Sequence, residues 1–107
     1  MTIREIVSRL REIADEEGTI VAEACSLQTR LRERNPESAT HVTNLLTYLI
    51  PAINTERGRL RALIKKLEKR DGDTVCDESW DSVIAIPTER LLGYRESLAH
   101  AKQNQYE

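Results

Sequence analysis

The sequence predicts an all-α protein: a long antiparallel helical hairpin with a shorter C-terminal helix against it, three-helix-bundle-like in outline. Two apolar seams of helical period predict it, together with a composition rich in Leu, Ile, Ala, Glu and Arg and free of Phe. A length of 107 residues makes residues 1–107 a single helical domain.

The first seam runs through Ile3, Ile6, Leu10 and Ile13, then Ile20, Ala24, Leu27 and Leu31. Its steps of three and four hold one phase, with Glu17 in the missed position and Val7, Ala14 and Val21 alongside. Thr2 and Glu5 have the spacing of a capping box, in which the hydroxyl takes the N–H of Glu5 and the carboxylate returns to the N–H of Thr2. A helix over about 3–34 follows. Gly18 and Thr19 are its weak point, since glycine costs about 1 kcal/mol against alanine inside a helix. Because the phase survives on both sides, one continuous or gently bent helix is expected.

Asn35 and Pro36 form the first break, asparagine as a cap and proline at a first helical position. The second helix, about 36–70, carries Val42, Leu46, Leu49, Ile53, Leu60, Leu63 and Leu67, with Leu45 and Ile64 alongside and Glu56 in the missed position. Pro51 removes one backbone bond and predicts a kink or short break near Tyr48. A hairpin turning at residue 35 sets Pro51 level with Gly18, so that both helices bend at one height. If the seam is core, alanine at Leu46 or Leu63 costs about 2–5 kcal/mol.

Asp71, Gly72 and Asp73 end the second helix and open an acidic loop over 71–82. Residues 83–86 read as a short extended piece before Pro87. The last helix then spans about 87–103 on Leu91, Tyr94, Leu98 and Ala101. The same spacing continues backward through Pro87, Ile84 and Trp80, which leaves a longer kinked helix as the alternative. An extended hairpin exposes more apolar face than one short helix covers, which predicts dimerisation.

Function classes narrow from the same residues. A net charge of −2 gives no whole-molecule attraction to nucleic acid or membrane. Cys25 and Cys76 fit no metal-ligand or redox spacing and read as free thiols of a cytoplasmic protein. Arg4 and Glu5 interrupt any apolar signal-peptide core, and the charge-free residues 38–55 are too polar to span a membrane. His41 and His100 lack a nucleophile or acid at a recognised spacing, and no HExxH, GxSxG or P-loop occurs. Glu17 and Glu56 are the one pair of carboxylates in an apolar setting, where perturbed pKa values would suit acid/base work in an enclosed pocket. Their ordinary reading is that each reaches water or an arginine such as Arg57. The acidic loop fails the calcium-loop register, with glycine second and Ser82 twelfth. No enzyme, cofactor, metal or small-molecule substrate is predicted.

Two surface features remain. The stripe Glu37, His41, Asn44, Tyr48, Pro51 and Thr55, with Thr40, Thr43 and Thr47 nearby, carries one charge in six, a depletion like that at the centre of a protein–protein contact. The alternative is that the last helix lies across this face. Between residues 55 and 70, seven basic residues (Arg57, Arg59, Arg61, Lys65, Lys66, Lys69 and Arg70) stand against two acids. Such a patch suits a phosphate backbone, unless the acidic loop folds back and neutralises it. The expected function is a non-enzymatic interaction module acting as regulator, inhibitor or assembly subunit, a role common among small helical proteins of bacteria and phages. Its partner is a protein or a second copy. A nucleic-acid accessory role on the basic patch is the alternative.

Overall fold

The computed structural model describes residues 1–34 and 41–103. Thr2 starts the first helix, α1 (Ile3–Arg34): its hydroxyl accepts from the N–H of Glu5 at 3.2 Å and donates to Glu5 Oε1 at 3.2 Å. The neighbouring donors are satisfied from far along the chain. Ile3 N–H donates to Thr74 O and Arg4 N–H to Gly72 O, each at 3.0 Å, and Thr2 forms an isolated antiparallel bridge with Val75. The loop after the second helix therefore finishes the N-terminal cap that Thr2 begins. Asp73 joins Arg4 in an ion pair at 2.7 Å.

Helix α1 runs unbroken through Gly18, and the structure supplies the reason for a glycine there. Arg57 lies over that turn, its Nε donating to Ala14 O at 3.2 Å, and a Cβ on Gly18 would sit 2.9 Å from Arg57 Nη2. Gly18→Ala is therefore expected to be close to neutral, because a helix gain of about 1 kcal/mol is offset by displacing the guanidinium. In an Arg57→Ala background the same change should stabilise by the full amount of about 1 kcal/mol. Urea unfolding of the four proteins checks this; equal gains in both backgrounds would remove Arg57 from the explanation.

The second helix, α2 (His41–Glu68), also continues through its proline, where a kink or break near Tyr48 was expected. Pro51 and Thr47 are both exposed, so the carbonyl that loses its donor is accessible to water. Leu49 and Ile53, buried on either side, hold the two halves in register. The pairing of Gln28 Nε2 with Thr47 Oγ1 at 3.2 Å, and of Arg57 with Ala14 O, places Pro51 nearer Ala24 than Gly18. Neither helix is broken, and Pro51 does not stand level with Gly18. The cap at Asn35 and the start at Pro36 lie outside the described residues, as do Glu37 and Thr40 of the charge-poor stripe.

A single 3-10 turn (Glu78–Trp80) leads directly into the third helix, α3 (Asp81–Gln103). The acidic loop is accordingly shorter than 71–82, and residues 83–86 are helical, not extended. Asp77 accepts from the N–H of Ser79 at 3.0 Å and from its hydroxyl, and these bonds hold the Asp77 carboxyl below its usual range. The penalty for Pro87 inside a helix is offset by packing. Pro87 is buried, Val83 and Ile84 are half-buried against the core, and Thr88 Oγ1 donates to Ile84 O at 2.7 Å.

The three helices pack up, down and up. Arg95 pairs with Glu16 and Lys102 with Glu23, which sets α3 parallel to α1; Arg90 pairs with Glu56 and the His100 ring meets that of His41, which together set it antiparallel to α2. Ile6, Leu10, Ile13, Leu46, Ile53 and Leu91 form the buried centre. A helix of 32 residues is about 48 Å long at 1.5 Å per residue, and it sets the shape. The chain measures 54 × 21 × 15 Å. Its radius of gyration is 16.8 Å, against about 13 Å for a compact chain of this length. Among the described residues no helix is long and apolar enough to cross a membrane.

Candidate functional site

Each side of α2 can be assigned from its contacts, which include an ion pair of Glu68 with Arg11. One flank, with Arg57 and Glu68, faces α1, and the other, with Glu56, faces α3. The outward remainder of its first half carries the charge-poor stripe. His41, Asn44, Thr47, Tyr48 and Thr55 are all exposed, Tyr48 at 79%. The third helix does not lie across this stripe. It meets the stripe at one end, where the His41 and His100 rings lie edge to face with centroids 6.0 Å apart. Thr47 is partly engaged by its own bundle, since its hydroxyl donates to Thr43 O at 2.9 Å and meets Gln28.

The basic segment divides. Arg57 is half-buried over α1, and the Arg70 guanidinium lies 5.4 Å from the centre of the Trp80 ring. Arg59, Arg61, Lys65, Lys66 and Lys69 are exposed and make no ion pair among the described residues. The arginines of α1 do not add to them, because Arg4 is held by Asp73, Arg9 by Glu12 and Arg11 by Glu68. The acidic loop does not fold back over this face either. Its backbone is bound to the first residues of the chain, and Cys76 N–H donates to Met1 O at 2.7 Å.

A polar layer crosses the middle of the bundle. Glu17 is wholly buried, and neither carboxylate oxygen has a hydrogen-bond partner among the described residues. Its pKa is pushed up to about 7, by burial first and then by the Glu56 carboxylate, against the opposing pull of Arg57 and Arg90. Glu56 is buried and accepts from Arg90 Nη1 at 2.7 Å, so its arginine comes from α3 and not from Arg57 beside it in sequence. Burial also raises the pKa of Tyr94, helped by Glu56 and Glu17.

No protein-family model matches the chain, and no curated protein or solved structure matches it.

Chemically, the polar layer offers one carboxyl with a raised pKa, with two guanidiniums and a phenol around it. Among the described residues no three His, Cys, Asp or Glu side chains gather to hold a metal ion. Cys25 is exposed and Cys76 half-buried, and both are free thiols. Sequence reading found Glu17 and Glu56 as gaps in the seams but missed Arg90 and Tyr94. The signal was faint: Tyr94 reads as one more apolar-face residue, and Arg90 as an ordinary surface charge.

Proposed function

We propose that this chain is a non-enzymatic protein-interaction module whose contact face is the outward side of the first half of α2. The observation that carries the reading is Tyr48, 79% exposed within a helix segment, residues 41–55, that has no charged side chain. A face of Asn, Thr and Tyr is cheaper to desolvate than one of Lys and Glu, and a rigid tyrosine on a packed helix supplies contact area at little entropic cost. The partner is another protein or a second copy of the chain, and the module acts on it by occupation, as a regulator, inhibitor or assembly subunit. Two thiols left unpaired are in keeping with work in the cytoplasm.

Tyr48→Ala should leave stability within about 0.5 kcal/mol, since the ring is largely in water. The same substitution should weaken partner capture, or self-association in sedimentation equilibrium, by about tenfold or more. Combined alanines at His41, Asn44 and Tyr48 that change neither measurement would rule this face out.

A further inference from the structure

We propose that the outward face of the second half of α2 is a track for the phosphate backbone of duplex nucleic acid, gripped without regard to base sequence. The proposal is independent of the protein-binding face and uses a different half of the helix. It starts from the fate of the counter-charges. Both acids of the segment are taken up by other helices, Glu56 buried against Arg90 of α3 and Glu68 paired at the surface with Arg11 of α1. Among the described residues the loop that follows makes one ion pair, Asp73 with Arg4, and none with Arg59, Arg61, Lys65, Lys66 or Lys69. Five cations are therefore left exposed and outside ion pairs among the described residues, Arg61 and Lys65 at the edge of the α1 groove that also holds Asp15 and Glu68, while the molecule as a whole carries −2.

Their arrangement is regular. Arg61, Lys65 and Lys69 recur every four residues, a row stepping about 6 Å along the axis. Arg59 and Lys66, seven apart, form a second row on the other flank. Gly58 and Ala62, both exposed, lie between the rows. A Cβ on Gly58 would meet nothing within 4 Å, so no packing inside the chain accounts for a residue that helix interiors disfavour. With no side chain at that point, a phosphodiester between the two rows can approach the helix backbone closely.

Two observations select the duplex. Proteins that hold single strands stack bases on aromatic rings, and the exposed residues from 58 to 69 include none. Protein partners need a buried apolar or aromatic anchor, and this face offers only one alanine and one glycine. What remains is charge at regular spacing, which suits a polyphosphate read by its backbone alone.

The test is fluorescence anisotropy of the full chain with a labelled mixed-sequence DNA duplex of twenty base pairs and its RNA counterpart. Four or five phosphate contacts predict a log–log salt slope of about −4, a loss of affinity of roughly 100- to 500-fold between 50 and 200 mM salt. Lys65→Gln with Lys69→Gln should reduce that slope by about 2 and weaken binding at 50 mM salt at least tenfold. The circular dichroism spectrum should not change, since both side chains are exposed and make no ion pair among the described residues. Gly58→Ala should raise the melting temperature yet weaken binding severalfold. Binding to either duplex supports the track, and comparing the two assigns DNA or RNA. No binding at 50 mM salt, tighter binding of the single strand, equal binding of labelled polyglutamate, or indifference to the two glutamines would each overturn it.

Discussion

Replacing Glu17 with methionine is expected to stabilise the protein by about 3 kcal/mol at pH 8 and by much less at pH 4.5. The carboxyl is wholly buried, unpartnered among the described residues, and its pKa stands at about 7 in place of 4.5. Burial is the main cause, the carboxylate of Glu56 the next, and Arg57 and Arg90 compensate only in part. The sign follows from proton counting. Between pH 4.5 and 7 the folded chain holds a proton that the unfolded chain releases, so stability falls as pH rises through this window and levels off above it. A shift from 4.5 to about 7 corresponds to about 3 kcal/mol at 1.36 kcal/mol per unit. Methionine keeps the volume and removes both the charge and the unsatisfied oxygens. Glu17→Gln should flatten the pH dependence too, but with a smaller gain, because a buried amide still lacks partners. Urea midpoints at pH 5 and pH 8 for the three proteins decide the matter. A methionine variant that loses stability across this window as steeply as the unsubstituted chain would show that the carboxyl is not buried as described.

The case of Glu17 also shows which parts of the molecule could be read in advance. Its position was legible because a gap in a periodic seam needs only local phase to be seen. Its surroundings were not, because Arg90 and Tyr94 arrive on a helix more than seventy residues away. Charge behaved likewise. The acidic loop is the sequence-adjacent candidate to neutralise the basic run over 55–70, yet it pairs with Arg4, while Glu16 and Glu23 of α1 are answered by Arg95 and Lys102 of α3. The basic run is left over because the third helix, not the second, supplied those cations. The extended reading of residues 83–86 failed for a related reason. β-Branching and a following proline are local preferences, and the burial of Pro87, with Val83 and Ile84 packed on the core, outweighs them. The charge-poor stripe on α2, by contrast, follows from composition and phase alone, and its exposed residues stand where helical spacing puts them.

The phase of α2 provides the other large effect. Leu46→Ala should cost about 2–5 kcal/mol, since its side chain is fully buried between α1 and the rest of the core. The seam drawn from sequence continues to Leu63, which would predict a similar cost there. In the structure the buried positions run Val42, Leu46, Leu49, Ile53, Glu56, Leu60, Ile64 and Leu67, so Ile64 is buried and Leu63 only half-buried. The difference is a drift of period. A strict seven-residue repeat falls behind a helix of 3.6 residues per turn by about 20° per heptad, and over three heptads the contact line moves to the neighbouring residue. Ile64→Ala is therefore expected to cost about 2–4 kcal/mol and Leu63→Ala about half as much. Equal losses at the two positions, measured by urea unfolding, would mean that α2 supercoils to keep a coiled-coil seam. A larger loss at Leu63 would place the whole second half of the helix in a different rotation, carrying the five exposed cations away from the outward face assigned to them.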